Sequence, residues 1–573
     1  MADPIISFQD YGFQYSAQAS PTLHHINLDI YPGEKVLIAG ASGSGKSTVG
    51  NCINGLIPFA YPGESTGKLF VGGVEAKESS IFSLSHTVGT VLQDPDGQFI
   101  GLTVGEDIAF ALENDCVPQE KMKETVAEAA RLVDIEHHLQ YAPHELSGGQ
   151  KQRVSLAGVM VEEVQALLFD EPLANLDPAA GRSAIELIDK VQERTGAAVI
   201  IIEHRLEDVL WRRVDRIVLM DEGRIVADMP TKNFLSGKAL LEHGIREPLY
   251  LTALRYAGVP VTEELSPQHV NSLSLTEEQK GKVRAWHAET GKLRVEEQEK
   301  KELLRVENLS FGYTPDIMNL QDVSFSIREG EMVSIVGRNG AGKSTLAKLI
   351  CGFEKLLSGK ISLEGRDLSE DTIKERAQNI GYVMQNPNQM ISKPLIWDEV
   401  EMALLSGDMS ADERRERVEE TLKICGLYPF RKWPVSALSF GQKKRVTIAG
   451  ILVQRPRIIL MDEPTAGQDY RHYTEIMEFL KTLNAQGFTI VMITHDMHLM
   501  LEYTPRAIVF SEGRLLADTT AARVLNDTEL VRKASLKETS LYTLSMQCGI
   551  DEPQKFTEGF IAYEESIRKA KGQ

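Results

Sequence analysis

Cysteine is scarce and scattered. Cys52, Cys116, Cys351, Cys425 and Cys548 make an odd set in which no two stand at metal-ligand spacing. A disulfide framework and a zinc ribbon are thereby excluded as organising devices, and free thiols in a reducing compartment are expected. Long apolar runs are missing too: no window approaches the 18 continuous apolar residues that would suggest a bilayer-crossing helix. The opening MADPIISF has no basic stretch leading into an apolar one, so no secretory signal is expected. Any membrane role must therefore come through a partner. An excess of basic charge is also lacking. Lys and Arg number 62 against 82 Asp and Glu, a net charge of −20, with no long block of either sign. That argues against a broad nucleic-acid-binding face and against nonspecific adhesion to anionic lipid. With 42% hydrophobic and 25% charged residues over 573 positions, the chain has the composition of a globular protein with several domains and sizeable cores.

Against this background two glycine-rich strings stand out, GASGSGKS at 40–47 and GRNGAGKS at 337–344. Each follows an apolar strand-like run (VLIA; VSIV) and precedes a helix-forming stretch. That context aims backbone N–H groups and a helix N-terminus at a polyphosphate. Lys46 and Lys343 add a cation near the transferred phosphoryl, and Ser47 and Ser344 can ligate magnesium. Gly40, Ser42, Gly43, Gly45 and Thr48 complete the first candidate cradle; Gly337, Asn339, Gly340, Gly342 and Thr345 complete the second.

The two strings belong to an internal duplication. The copies are offset by 297 positions at Lys46 and Lys343, 292 at Gln93 and Gln385, 292 at Asp170 and Asp462, and 291 at His204 and His495. A nearly constant offset marks one unit copied with small insertions. The copy extends past the ATPase-like motifs: Arg246-Glu247 with Leu251 and Thr252 finds an echo in Lys537-Glu538 with Tyr542 and Thr543. A small accessory segment is therefore expected twice, leaving about 260–302 as connector. The charged end of that connector reads as a solvated helix or tether. Within each half, apolar β-rich runs such as ALLF (166–169) and IILM (458–461) alternate with helical stretches. This predicts a three-layer α/β core around a parallel sheet, with a helical lobe near 120–139 and 411–425.

Two of the apolar runs end in acidic pairs, Asp170-Glu171 and Asp462-Glu463. An aspartate at a strand end beside a phosphate loop can hold magnesium, and the adjacent glutamate can polarise the attacking water. Leu146-Ser147-Gly148-Gly149-Gln150 is the most diagnostic string. Together with the phosphate loops, the acidic pairs and the later histidines, it resembles the ATPase subunits of ABC transporters over nearly all of both halves. The resemblance implies tandem P-loop NTPase (RecA-like) cores of α/β class, each with a helical subdomain, and small accessory segments. The expected division is 1–240 for the first ATPase domain, 241–302 for accessory segment and linker, 303–530 for the second ATPase domain and 531–573 for the terminal accessory segment.

The resemblance also implies roles. Ser147, Gly148 and Gly149, with Ser439 and Gly441 in the second copy, would cap the γ-phosphate of ATP bound to the opposite half. Phe440 replaces a glycine there, which puts the turnover of that site in question. Tyr15 and Tyr313 would stack on adenine. Gln93 and Gln385 would sense magnesium and the transmembrane partner. His204 and His495 would contact the γ-phosphate, and Glu203 stands where Thr494 stands in the second copy. Glu171 and Glu463 would act in catalysis, and Asp170 and Asp462 would bind the metal. ATP and Mg2+ are the implied ligands, and the halves would pair as an intramolecular ATPase dimer with split sites. The stretch QDPDGQFIGLTVGEDIAFALEN from Gln93 resembles the energy-coupling-factor branch of importers. That branch implies a transmembrane scaffold and a separate substrate-capture membrane protein as partners, no nucleic acid, and a place at the cytoplasmic face of the membrane. GIREPLYLTALRYAG after the first half is similar to subunits for thiamine-precursor (hydroxymethylpyrimidine) uptake; cobalt systems share the ATPase type. A soluble translation factor with paired ABC ATPases is the main alternative. It would want a basic linker, and in 246–302 acidic side chains are no fewer than basic ones. The ATPase of another importer class is a further alternative.

Overall fold

The computed structural model describes residues 3–93, 97–174, 176–291, 300–314, 317–405, 407 and 409–570. The proline of the Gln93 segment, Pro95, and the last part of the charged connector fall outside them. The chain forms two compact units, Met1–Val283 with Asp469–Arg471, and Arg284–Gln468 with His472–Gln573.

In the first unit, β1 (Ile6–Tyr15), β2 (Leu23–Ile30), β4 (Gly63–Val71) and β5 (Val74–Glu75) make an antiparallel sheet in the order β2-β1-β4-β5. A six-stranded sheet has the order β10-β9-β3-β8-β7-β6. Its strands are β3 (Lys35–Gly40), β6 (Val88–Val91), β7 (Ala166–Asp170), β8 (Ala198–Ile202), β9 (Arg216–Asp221) and β10 (Arg224–Pro230). Pairing is parallel from β6 to β9, and β10 turns back antiparallel onto β9. Strands β3 and β8 are buried at every position, which is why they read as unbroken apolar runs. Ile38, Leu168, Ile200 and Ile202 of this sheet share one core with Phe8, Phe13 and Ile26 of the antiparallel sheet. The expected parallel sheet is present; the antiparallel layer was not read from the motifs.

The second unit repeats this plan. Its small sheet is β12-β11-β14-β15, built from β11 (Glu302–Phe311), β12 (Leu320–Arg328), β14 (Ser358–Leu363) and β15 (Arg366–Asp367). Its large sheet is β16-β17-β18-β13-β19-β20, from β13 (Met332–Gly337), β16 (Ile380–Val383), β17 (Ile458–Asp462), β18 (Thr489–Ile493), β19 (Arg506–Ser511) and β20 (Arg514–Thr520). The helical lobes carry helices Val104–Asn114, Gln119–Leu132 and Gly148–Met160 in the first unit, and Ile396–Glu401, Ala411–Ile424 and Phe440–Leu452 in the second.

The accessory echo is also structural: helix Leu249–Tyr256 in the first unit corresponds to Ser540–Gln547 in the second. The charged connector departs from its reading as a solvated element. Its helix Glu277–Thr290 buries Val283, Trp286 and Thr290. The Trp286 ring packs edge-on against Phe556 at 5.7 Å and Tyr563 at 5.6 Å, both on the terminal helix Pro553–Ala570. A single tryptophan in a charged stretch was the available signal, and its buried aromatic area outweighs the polar surroundings.

Candidate functional site

Each candidate site sits where neighbouring parallel strands end together. In the first unit the phosphate loop follows β3, His204 follows β8, Asp170 ends β7, and Gln93 follows β6; these four strands are consecutive in the sheet. Register aligns Asp170 with Ile202, and Asp462 with Ile493 in the second unit. Groups far apart in sequence thus converge at one sheet edge, where open α/β sheets bind ligands.

The phosphate loops fit a polyphosphate. Helices Lys46–Ile53 and Lys343–Cys351 begin at Gly45 and Gly342, both left-handed in φ and without a side-chain cap, so their first N–H groups are left for an anion. Lys46 is 6% exposed and Lys343 7%. Lys46 Nζ donates to Gly40 O at 2.9 Å and Ala41 O at 2.7 Å; Lys343 Nζ donates to Gly337 O at 2.7 Å and Arg338 O at 2.9 Å. Burial pushes the Lys46 ammonium below its ordinary value, opposed by the Glu171 charge. Among the described residues the buried Ser44 hydroxyl has no hydrogen-bond partner. Gly43 and Gly340 sit at the loop apex with φ +79° and, among the described residues, nothing within 4 Å of an added Cβ, which leaves the loop open on that side.

The carboxylates also fit a hydrated divalent cation. Ser47 Oγ lies 3.4 Å from Asp170 Oδ1, and in the second unit Ser344 acts on the Asp462 carboxyl in the same sense, holding it down against burial. Burial, and then the Glu171 charge, push the Asp170 carboxyl up to about 6; burial raises Asp462 as well. Carboxylates held above their usual range in this way gain most from a cation. Gln93 Nε2 donates to Glu171 Oε2 at 2.7 Å, joining two residues that sequence reading treated separately. Glu171 and Glu463 both have φ +47°, a left-handed conformation that is strained for a non-glycine residue and recurs at the same position of each copy.

The histidines differ between the copies. His495 Nδ1 is 2.7 Å from Glu463 Oε1. His204 Nδ1 is 3.8 Å from Glu171 Oε1 and 3.1 Å from Glu203 Oε1. Glu203 is fully buried and accepts N–H groups from Leu173, His204 and Arg205. Burial depresses the His204 imidazole, but Glu203 and Glu171 outweigh it and raise the group above its ordinary value. At Glu171 burial opposes ionisation, but His204 at 3.8 Å, together with the Lys46 and Arg205 charges, outweighs it and lowers that carboxyl. In the second copy Thr494 Oγ1 lies 3.4 Å from Glu463 Oε2.

Ser147 and Ser439 cap helices Gly148–Met160 and Phe440–Leu452, each in a reciprocal box with the glutamine three residues on. Gly148 does not have positive φ, and an added Cβ would meet only Leu176 at 4.0 Å. Phe440 therefore occupies a position that needs no glycine, and its side chain is 44% exposed. Tyr15 is half-buried, its hydroxyl 3.2 Å from Thr48 Oγ1; Tyr313 is 51% exposed, with Lys348 Nζ 5.9 Å from its ring centre. One buried residue escaped the sequence reading. Lys444, where the first copy has Gln152, donates to Met384 O at 3.0 Å and Gln385 O at 2.7 Å. Burial brings its ammonium down to about 8 against the pull of Asp462 and Glu463. The second lysine of SFGQKKR was its signal, because lysine there breaks the match between copies.

Comparison with known proteins agrees with this construction. The ABC transporter family model matches residues 23–174 and 320–466. A model described as ATP-binding cassette cobalt transporter matches residues 238–311. A provisionally named ABC transporter ATP-binding protein of Clostridium perfringens is 57% identical over 564 residues, 98% of this chain and 99% of that protein. A similarly named protein of Enterococcus faecalis is 56% identical over 571 residues, 99% and 100% of the two chains. Among solved structures, cbiO1 of Clostridium perfringens, described as part of the ABC transporter complex cbiONQ, is 34% identical across 41% of this chain and 94% of its own, with a TM-score of 0.38. With both phosphate loops, both acidic pairs and matches across nearly its whole length, the chain belongs to the ABC transporter family as a tandem ATP-binding protein that hydrolyses ATP.

Proposed function

We propose that the chain is the motor of an energy-coupling-factor importer, working at the cytoplasmic face of a membrane on a transmembrane scaffold and a separate substrate-capture protein. The cargo is a vitamin-like small molecule, with a thiamine precursor as the leading candidate, or a metal ion. The match of residues 238–311 to a cobalt-transporter model supports that importer group. In this reading Glu171 and Glu463 polarise the attacking water, and His204 and His495 contact the γ-phosphate. Ser47, Gln93 and Asp170, with Ser344, Gln385 and Asp462, would hold Mg2+, which supplies charge neutralisation on the phosphates. Tyr15 and Tyr313 face adenine. The division at 240, 302 and 530 is our working set of domain limits.

One observation carries the proposal. Next to Gln93, the first unit exposes apolar side chains at Ile100 (64%) and Leu102 (82%). The exposed Tyr141 lies beside them, its carbonyl accepting Val104 N. In the second unit Ser392 and Pro394 stand at the positions of Ile100 and Leu102, but Tyr141 is matched by Trp433, whose carbonyl accepts Ile396 N; Tyr141 and Trp433 are each 49% exposed. Phe110 and Met402, again at matching positions, are 38% and 39% exposed. An apolar surface kept at the same place in both copies suits protein docking. The Gln93–Glu171 hydrogen bond would then link the docked partner to the hydrolytic carboxylate.

The test is affinity purification of the full chain from its own membranes in mild detergent. Two small hydrophobic membrane proteins should accompany it, and Leu102→Asp should lower their recovery about tenfold while ATP binding is unchanged. Recovery with ribosomes, or undiminished membrane-protein recovery with Leu102→Asp, would count against the proposal.

A further inference from the structure

Away from the nucleotide sites, three side chains of the first unit converge at the far ends of their helices. His86 follows the short helix Ile81–Ser85 and lies two residues before β6; Asp115 caps the C-terminus of helix Val104–Asn114; Glu162 follows the cap of helix Gly148–Met160. One ring nitrogen and one oxygen from each carboxylate lie within 4.8 Å of one another. His86 Nε2 is 3.6 Å from Asp115 Oδ1, and Nδ1 is 3.7 Å from Glu162 Oε1. Both separations exceed a hydrogen bond, and they fall on opposite ring nitrogens, so one ion takes a single nitrogen; with both carboxylates grouped within 4.8 Å, small side-chain adjustments reach the spacing of about 3.4 Å between two atoms bound tetrahedrally to one zinc-sized ion. The imidazole is oriented by an edge-to-face contact with Phe82 at 4.9 Å.

The setting points the same way. Two helix C-termini, each the negative end of a helix dipole, meet here with no basic residue in either last turn. Adding two carboxylates to that location is unfavourable unless a cation joins them. The second unit supplies an internal comparison. At the matching positions it carries Gln378, Gly407 and Gln454, so the same fold does without the triad. The triad is not a requirement of the architecture.

We propose that His86, Asp115 and Glu162 form a site for one zinc-class divalent cation, with water completing its shell. Imidazole and carboxylate together suit zinc and its neighbours rather than magnesium or calcium, which prefer all-oxygen sets. Bound there, the ion ties the ends of two lobe helices to the segment that enters β6, two residues beyond which stands Gln93. Binding itself is independent of the transporter reading; its effect on turnover rests on the proposed role of Gln93.

The experiment uses the full-length chain, nucleotide-free, stripped of metal by chelator and then titrated with Zn2+ by calorimetry. Cys116→Ser serves as the parent background, because that exposed thiol could bind zinc on its own. One zinc per chain and a higher melting temperature are expected. The combined variant His86→Gln, Asp115→Gly, Glu162→Gln takes its residues from the second copy, so it should fold. Its zinc affinity should fall about tenfold or more. His86→Gln alone should show the same loss and stands in if the combined variant is unstable. Equal affinity and stoichiometry in parent and variants, or no zinc-dependent melting shift in the parent, would overturn the site.

Discussion

Glu203→Thr, which installs the residue that the second copy carries, should change the titration of His204. In the parent the Glu203 carboxylate is fully buried and 3.1 Å from His204 Nδ1, with Glu171 at 3.8 Å. At an effective dielectric near 20, a unit charge about 4 Å away is worth about 4 kcal/mol. Much of that should be recovered, since without Glu203 the ring is free to close on Glu171 as His495 closes on Glu463 at 2.7 Å. A net fall should remain, because the ring loses the nearer of its two carboxylates and keeps only one. The linkage sign follows. A histidine whose folded value is raised stabilises fully below its unfolded value near 6.5, and that stability is lost as pH rises through the folded value. Glu203→Thr should therefore flatten the decline of stability as pH rises above about 6.5. The direct assay is long-range proton–nitrogen NMR of the 13 histidines, with His204 assigned by its own substitution. An unchanged or raised His204 titration would refute the electrostatic reasoning. A second readout uses a Glu463→Gln background to isolate the first site. Asp170, raised by burial, by Glu171 and more weakly by Glu203, should ionise at lower pH, so activity should persist further into acid.

Three further outcomes are expected. Glu171→Gln with Glu463→Gln should keep ATP binding and lower hydrolysis by about 10²–10⁴-fold, measured by filter binding and phosphate release; near-normal turnover would remove both residues from the water-polarising role. Lys444, depressed to about 8 by burial, leaves the unfolded chain holding the extra proton between that pH and about 10.4, so stability should rise with pH there by roughly 3 kcal/mol. Denaturant melts of Lys444→Gln should lose that rise, and an unaltered slope would mean the ammonium is not the cause. Trp286→Ala should cost about 3–5 kcal/mol, detected by hydrogen exchange on the terminal helix Pro553–Ala570; unchanged protection there would show that the connector helix does not hold it.

The sequence revealed most where a motif ties a residue type to one backbone position. The phosphate loops, the acidic pairs and the histidines all lie at strand ends because buried parallel strands read as apolar runs and their ends as polar breaks. The helical lobe was legible for the same reason, as helix-forming periodicity between motifs; helix Gln119–Leu132 falls on the expected segment. The antiparallel sheet was not. β1 carries register shifts between Phe8 and Tyr11, which break the alternation that would announce a strand with one buried face. Side-chain contacts over long separations were likewise hidden. Nothing in spacing tells that Gln93 meets Glu171, or that Lys444 holds the Gln385 carbonyl. The doubt over Phe440 came from reading glycine as flexibility, whereas the backbone at that position is compatible with a side chain.

Duplication makes the differences between copies more informative than their similarities. Both copies place an ammonium, a carboxylate pair and an imidazole at one sheet edge, so the common chemistry follows from the fold. Yet the first copy adds a third carboxylate, this one fully buried, at Glu203, where the second has Thr494. The second adds a buried ammonium at Lys444 and a tyrosine hydroxyl, Tyr382, donating to Asp462 at 3.0 Å. The first candidate site is thus more negative and the second more positive, beneath the same backbone. A polyphosphate should bind the second more readily and leave the first more readily. Two sites of equal charge would fill and empty together. Opposite biases instead favour an order, with one nucleotide retained while the other turns over, and they arise from residues that none of the phosphate-loop or signature motifs specify.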